Sequence, residues 1–255
     1  MLATPLKPYR PAYLSVAKVA LYVTCPAQFK RQYVDGLVRP TNRYMAFGKA
    51  FHAALEAEHR GENSERALIA AWNTGESILA ATGQAMHPGK AHALALLDEY
   101  KALGLGGALG EPEKKFSLRL LSPELPPVLG YIDHPIPERR RFREFKTTSS
   151  STRWTPVRIA QEYQLHVYGR AYQRLYSHRP DLAEYVIFRT DIVQVDVVEA
   201  APSADGFRMF EQAAKLTWEG ICSGRYEPCG ECELCKPPRE KPASGPRVEW
   251  EDEAS

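Results

Sequence analysis

Three side chains near the middle of the chain have the types and spacing of a divalent-metal site. Asp133 lies in the apolar run Val128–His134, and Glu144 and Lys146 lie in the alternating segment 141–148. The Pro-Ile-Pro-Glu-Arg segment between the two runs predicts a turn, so we expect two strands of a hairpin. Because residues i and i+2 of a strand share a face, Glu144 and Lys146 should both point toward Asp133. Two carboxylates beside a lysine suit magnesium or manganese.

Taken alone, an aspartate separated by ten residues from Glu-x-Lys is also compatible with an ordinary solvated hairpin. Basic residues concentrate around this segment, although the formal net charge of the 255-residue chain is only +2. The residues of this basic patch are Arg139, Arg140, Arg141, Arg143, Lys146, Arg153 and Arg158. A local patch of this kind predicts contact with nucleic-acid phosphates, and the alternative is a charged turn that protects a strand edge.

The cysteines near the C-terminus form a second candidate site. Cys229, Cys232 and Cys235 have the spacing C-x2-C-x2-C between prolines, which aims three thiolates at one point. A tetrahedral site needs a fourth ligand, for which the remaining candidates are Cys25 and Cys222. We assign Cys25, at a Cys-Pro helix break, and interpret Cys222 as a small buried hydrophobe. Four thiolates suit either a [4Fe–4S] cluster or zinc, and this site would join the two ends of the chain.

Composition and length suit one globular domain, because 44% of the residues are hydrophobic and 25% are charged. No run approaches 18 apolar residues, and the N-terminal segment lacks the apolar core of a signal peptide. We therefore expect no membrane span and a cytoplasmic location, where thiols stay reduced. Residues 1–236 are predicted to form the domain, and the Pro-rich, then acidic segment 237–255 a disordered tail.

The periodicity of apolar residues predicts an α/β fold. Helices are expected at 16–22, 27–33, 44–59, twice within 64–103, at 157–176 and at 203–220. Strands are expected at 113–121, 128–134, 141–148, 185–190 and 192–199. We expect the strands to form one small mixed sheet flanked by helices, with an N-terminal helical part that wraps around it.

The order of these motifs resembles the RecB-family nucleases of the PD-(D/E)XK superfamily. The similarity is greatest to the iron–sulfur branch that contains the CRISPR-associated RecB-like exonucleases and the AddB nuclease domain. The matching positions are Cys25-Pro26, Gly48, His52, Glu113, Gly130 to Asp133, Glu144 to Thr147, Gln164 to Tyr168, Cys229, Cys232 and Cys235. They span roughly residues 14–236. The last two cysteines are closer together than is usual in that branch, which leaves the type of metal centre open.

The resemblance implies a restriction-endonuclease-like core and a role for each matching residue. The implied ligands of Mg²⁺ or Mn²⁺ are His52, Asp133, Glu144 and the backbone carbonyl of Phe145. Lys146 would orient or activate the attacking water and stabilise the charge of the transition state. Gln164 and Tyr168, one helical turn apart, would contact DNA or support the site, and Glu113 would be a supporting carboxylate. A histidine ligand favours manganese over magnesium.

We therefore predict a metal-dependent DNA nuclease, with an exonuclease on single strands or DNA ends as the leading expectation. DNA repair, recombination and CRISPR adaptation are the expected settings, beside a helicase, a recombination protein or a CRISPR integrase. Arg139, Arg140 and Arg141 are expected to contact DNA. The alternatives are a catalytically inactive DNA-binding scaffold subunit and a zinc-binding interaction protein. The presence of His52 and Lys146 with both carboxylates argues against the scaffold, since degenerate relatives usually lose one of these groups.

Overall fold

The computed structural model describes residues 9–37, 40–108, 110–148, 153–232 and 235–236. The predicted tail, 237–255, lies outside the described residues. The helices are α1 Val16–Thr24, α2 Pro26–Phe29 with a π-helical continuation Lys30–Val34, α3 Arg43–His59, α4 Ser64–Ala80, α5 Lys90–Ala102, α6 Pro156–Ile159, α7 Tyr163–Tyr176 and α8 Ala204–Cys222. The strands are β1 Lys114–Leu118, β2 Val128–Ile132, β3 His134–Ile136, β4 Arg141–Thr148, β5 Leu182–Arg189 and β6 Gln194–Ala200. Within these ranges no helix is both long and apolar enough to cross a bilayer.

The strands form two small sheets. The first pairs β1 with β2 antiparallel, and the second has the order β3-β4-β5-β6. In the second sheet β4 and β5 are parallel, and α6 and α7 supply the crossover that parallel neighbours require. The mixed α/β class is confirmed, but the expectation of a single sheet is wrong. The predicted strand 128–134 divides at Asp133, so that β2 pairs with β1 and β3 pairs with β4.

Strand β5 is buried on both faces and separates two apolar cores. Tyr185 and Ile187 pack into a core that is shared with α1, α7, α8 and the β1–β2 sheet. Val186 and Phe188 point the other way, into a core built from α3, α4 and α5. A strand covered on both sides is typical of the centre of a parallel α/β sheet. Helices α3, α4 and α5 therefore cover one face of the sheet, whereas α1 contributes to the core on the other face.

Helix α3 lies directly over β4. Its N-terminus is capped by Asn42, whose side chain accepts a hydrogen bond of 2.9 Å from the backbone N–H of Met45. Phe51 is fully buried on the face toward the sheet. At Gly48 a Cβ atom would lie 3.4 Å from Oγ1 of Thr147, so the helix and the strand are within van der Waals contact at this position. This close contact brings His52, one turn further along α3, to the edge of β4.

The helix predicted at 157–176 is two helices, with a break at residues 160–162. The break contains no glycine or proline, which explains why the sequence did not reveal it. In the structure the buried His166 ring occupies this position, and its Nε2 atom lies 3.0 Å from the carbonyl oxygen of Ala160. As a consequence Gln164 lies in the first turn of α7, close to β4.

Candidate functional site

Asp133 lies at the point where the chain leaves one sheet and enters the other. Its Oδ2 atom accepts a hydrogen bond of 2.8 Å from the backbone N–H of Phe145, which fixes the carboxylate against β4. Glu144 directly precedes Phe145 on β4. The carboxylates of Asp133 and Glu144 are both almost fully buried. The division of the predicted strand at Asp133 therefore produces the close approach of the two acidic side chains.

His52 and Glu113 complete a group of possible metal ligands with Asp133. One donor atom from each of the three side chains lies within 4.8 Å of the other two. Nδ1 of His52 is 3.9 Å from Oε1 of Glu113. The backbone of Glu113 is left-handed, with φ of 53°, and its N–H donates a 2.8 Å hydrogen bond to the carbonyl oxygen of Asp133. Such a conformation is unfavourable for a residue with a side chain and is concentrated at functional sites.

Lys146 and Gln164 form hydrogen bonds with Glu144 on the side of the site that faces α7. Nζ of Lys146 lies 2.9 Å from Oε1 of Glu144 and 2.6 Å from Oε1 of Gln164. Nε2 of Gln164 donates to the same glutamate oxygen at 2.5 Å. Glu144 and Lys146 thus share a face of β4, as the strand periodicity predicts. Tyr168, one turn along α7 from Gln164, packs its ring against Phe116 and is partly buried against the core on this side.

The electrostatics of this group favour an additional cation. Burial, followed by the charge of Glu144, raises the pKa of Asp133 to about 8. Burial alone would lower the pKa of His52, but the Glu113, Asp133 and Glu144 carboxylates raise it overall. Burial also lowers the pKa of Lys146, but the negative charge of Glu144 outweighs this effect and raises the pKa overall. The lysine therefore stays charged. When Asp133 is ionised, three carboxylates lie near Lys146 and His52, so a bound cation would stabilise the ionised form of Asp133.

An unpartnered oxygen shows that the residues present fit a divalent cation. Oε2 of Glu144 is buried and has no hydrogen-bond partner among the described residues, whereas Oε1 accepts two bonds. An unsatisfied buried polar group costs about 1–3 kcal/mol, and more when it is charged. Carboxylate oxygens are the ligands that magnesium and manganese prefer, and an imidazole is acceptable to manganese.

Tyr185 is a neighbour of the site that the sequence analysis missed. It is the register partner of Glu144 on β5, and its ring centre is 6.0 Å from Nζ of Lys146. Its buried hydroxyl has no hydrogen-bond partner in the described part of the chain. The sequence did not indicate that Tyr185 lies at the site. It stands within an apolar strand, and the register of parallel strands cannot be predicted from one sequence. Burial, and next Glu144, raises the pKa of Tyr185, so the phenol is neutral.

The predicted basic patch is only partly present. The prediction for Arg143 is wrong, because its side chain is buried, with Nε 2.6 Å from Oε2 of Glu184. The parallel register of β4 and β5 places these two residues opposite each other, which the sequence does not reveal. Arg141 pairs with the same glutamate, and Nε of Arg140 is 3.1 Å from an oxygen of Asp181. These pairs leave fewer charges available for phosphates than the sequence suggested.

Four cysteines come together at the junction of the two chain ends. Donor sulfurs of the predicted group all lie within 4.8 Å of one another: Cys25, Cys229, Cys232 and Cys235. Sγ of Cys25 is 3.5 Å from that of Cys235 and 3.8 Å from that of Cys232. Hydrogen bonds from backbone N–H groups near Cys232 lower the pKa of Cys229 to about 6, which favours the thiolate that metals require, whereas burial raises the pKa of Cys235 to about 11. Cys222 is outside this group and only half-buried, rather than buried as predicted.

Comparison with known families identifies the chain. The sequence model of the PD-(D/E)XK nuclease superfamily matches residues 13–238. The chain belongs to this superfamily. Its fold is accordingly restriction-endonuclease-like, and membership implies a metal-dependent nuclease, the class of enzyme by which this superfamily acts on DNA.

The other comparisons add little to the family match. No curated protein matches the sequence. The crystal structure of SSO0001 is similar to this PD-(D/E)XK chain at 16% identity and a TM-score of 0.33, over 75% of this chain and 82% of that chain.

Proposed function

We propose that this protein is a DNA exonuclease that acts on single strands or DNA ends. The observation that carries the proposal is the convergence of His52, Glu113 and Asp133 beside a glutamate with a free, buried oxygen. We assign Asp133, Glu144, His52 and the carbonyl of Phe145 as ligands of Mg²⁺ or Mn²⁺. We add Glu113 to this set of ligands because its Oε1 atom lies 3.9 Å from Nδ1 of His52, a separation at which both atoms can bind one ion. A bound divalent ion supplies a water that is nucleophilic near neutral pH and charge stabilisation at the leaving oxygen.

The remaining side chains prepare the site for the substrate. Lys146 keeps a positive charge next to Glu144, where it orients the attacking water and stabilises the charge that develops on the phosphate. Gln164 bonds to both of these residues and so holds the lysine ammonium in position. Tyr168 supports Gln164 from the core. Arg139 and the ion-paired Arg140 and Arg141 are proposed DNA contacts at the end of β3 and the start of β4.

The resemblance to RecB-like exonucleases supports exonucleolytic cleavage, a single catalytic domain over residues 1–236, and a helicase, recombination or CRISPR-integrase partner.

The test of exonuclease activity is digestion of linear single-stranded DNA labelled at the 5′ or the 3′ end, beside a circular strand of equal composition. An exonuclease releases labelled mononucleotides or short products from one end and leaves the circle intact. Cleavage of the circle would show an endonuclease, and absence of cleavage with either metal ion would favour the scaffold alternative.

For the thiolate centre, the sulfur separations support a single tetrahedral ion. Zinc–sulfur bonds of about 2.3 Å place sulfur atoms about 3.8 Å apart at the corners of a tetrahedron. The measured 3.5 and 3.8 Å are close to this value. A [4Fe–4S] cluster inserts four irons between the thiolates and needs a wider arrangement. We therefore favour zinc over the iron–sulfur cluster that the family resemblance implies.

Replacing Cys25 by serine is expected to remove the metal and to lower the thermal stability together. The reason is that the centre ties α1 and α2 to the C-terminal segment, so the binding free energy is also folding free energy. Cys222→Ser is the matched control and should retain both. Metal content by elemental analysis and the melting temperature are the readouts. Equal metal loss from the Cys222 variant would show that the fourth ligand is misassigned, and iron with absorbance near 400 nm would show a cluster.

Manganese binding is expected to release protons at pH 7. Asp133 has a pKa of about 8, so its carboxyl carries a proton at pH 7 that the metal must displace, and the raised pKa of His52 acts in the same direction. The manganese affinity should therefore rise as the pH is raised toward 8. Calorimetric titration in two buffers with different enthalpies of protonation measures the number of protons released. A pH-independent affinity without proton release would contradict the assignment of these two ligands.

A further inference from the structure

Two neighbouring cavities form one groove along α7, away from the candidate metal site. The first has a volume of about 290 Å³ and lies between α7, the start of α8 and the residues after β1. The second, of about 580 Å³, lies between β1 and α7, and both are lined by Arg119, Arg170 and Gln173. At about 100° per residue, Arg170 and Gln173 lie on the opposite side of α7 from Gln164. We call this feature the α7 groove.

The α7 groove is lined by an excess of positive charge. Its arginines are Arg119, Arg170, Arg174, Arg179 and Arg208, and all five are exposed. Arg208 pairs with Asp205, but Arg119, Arg174 and Arg179 make no ion pair among the described residues. The carboxylate that lines the groove, Glu211, accepts a 3.0 Å hydrogen bond from the backbone N–H of Leu121. This contrasts with Arg141 and Arg143 of β4, which are both ion-paired with Glu184.

The floor of the α7 groove is apolar. It contains Phe207, Pro180 and Pro202, and the guanidinium of Arg170 lies 5.8 Å from the centre of the Phe207 ring. His166 is not available to a ligand, because Nδ1 accepts from the N–H of Ser203 and Nε2 bonds to the Ala160 carbonyl. Ser203 caps the 19-residue α8, whose N-terminus adds positive partial charge.

Arginines around an aromatic floor match the chemistry of one nucleic-acid strand. Arginine binds phosphate oxygens with a planar fork of donors, and aromatic rings stack on bases or sugars irrespective of sequence. The two cavities have volumes in the range of single-ligand pockets, which suits one strand rather than a duplex. We propose that the α7 groove is a second DNA-binding site, which holds phosphates of a single-stranded segment outside the bond that is cleaved. The choice of DNA rests on the proposed function.

The test measures binding without cleavage. The double variant Arg119→Glu/Arg179→Glu is compared with Arg66→Glu/Lys90→Glu, which makes the same charge change on the α4–α5 layer across the sheet. Affinity for a fluorescent single strand of about 20 nucleotides is measured by anisotropy in EDTA over a range of salt concentrations. We expect the dissociation constant of the groove variant to rise at least about ten-fold. The salt slope should fall by about 1.4, or about 0.7 for each lost phosphate contact. The control should stay within about two-fold.

Each remaining outcome decides the proposal. Equal affinities of the two double variants would overturn it, as would a loss seen only with an RNA strand of the same sequence or only with a duplex. If the charge reversal prevents folding, as judged by circular dichroism, Arg119→Gln/Arg179→Gln is used with the matching control Arg66→Gln/Lys90→Gln. If binding depends on the groove but no manganese-dependent cleavage is seen, the nuclease proposal is rejected and the DNA-binding groove is retained. If the protein cleaves DNA but binding does not depend on the groove, the groove proposal is rejected and the nuclease proposal is retained.

Discussion

Replacing Lys146 by alanine is expected to lower single-turnover cleavage by about 10²–10³-fold, the scale for one preorganised electrostatic group. Manganese affinity should stay close to that of the wild type or increase, because a cation is removed from beside Glu144. Gln164 still donates to the same oxygen of Glu144, so the carboxylate should keep its position. Single-turnover kinetics and calorimetric manganese titration on one preparation separate the two effects.

The matched control for Lys146→Ala is Lys215→Ala, which removes an exposed lysine from α8. This control should leave both the cleavage rate and the manganese affinity unchanged. Near-normal cleavage by Lys146→Ala would mean that the Glu-x-Lys segment is not a nuclease site. The scaffold interpretation would then be preferred.

Asp133→Asn is expected to abolish manganese binding and cleavage together, with cleavage reduced by more than about 10³-fold. The substitution keeps the shape of the side chain and an oxygen for the N–H of Phe145, but it removes a buried negative charge from the proposed ligand set. The loss should exceed that for Lys146, because the metal supplies both the nucleophile and the stabilisation of the leaving oxygen. Asp98→Asn, an exposed aspartate of α5, is the control. Cleavage without measurable manganese binding would contradict the ligand assignment.

The two variants also test different parts of the site. Asp133→Asn should lower both the manganese affinity and the cleavage rate, whereas Lys146→Ala should lower only the cleavage rate. Melting temperatures should show whether either change acts through folding. Asp133→Asn should be no less stable than the wild type at neutral pH, because folding raises the pKa of Asp133 to about 8 and this buried carboxyl must take up a proton on folding.

The sequence predicted the parts of the fold that depend on local patterns. Helix α3 and the strand that carries Glu144 and Lys146 follow from periodicity, and the grouping of Cys25 with distant cysteines follows from their spacing. The role of His52 was implied only by the family resemblance. The division of the strand at Asp133 did not follow from local patterns, because it depends on which partner strand each half finds. The burial of Arg143 opposite Glu184 depends on the register of a parallel pair, which is set by tertiary packing. The left-handed backbone of Glu113 is likewise a product of the sheet around it.

The same distinction applies to the candidate site. The Glu-x-Lys spacing predicts two side chains on one face because strand periodicity is local. The role of Gln164 as a bridge between them depends on the break before α7, which has no sequence signal. The α7 groove combines residues from β1, α7 and α8 that are distant in sequence. No pattern within one element could have indicated it.

The most direct test of the central claim is metal-restored cleavage by one purified preparation. The protein is treated with EDTA, and elemental analysis checks that the thiolate centre keeps its metal. Manganese is then titrated back while both its binding and the release of labelled nucleotides from single-stranded DNA are followed. We expect no cleavage without metal, recovery in proportion to the occupied sites, and no recovery with Asp133→Asn at any manganese concentration that saturates the wild type. Cleavage that persists in EDTA, or that manganese restores equally to the Asp133 variant, would contradict a metal-dependent nuclease built on these residues.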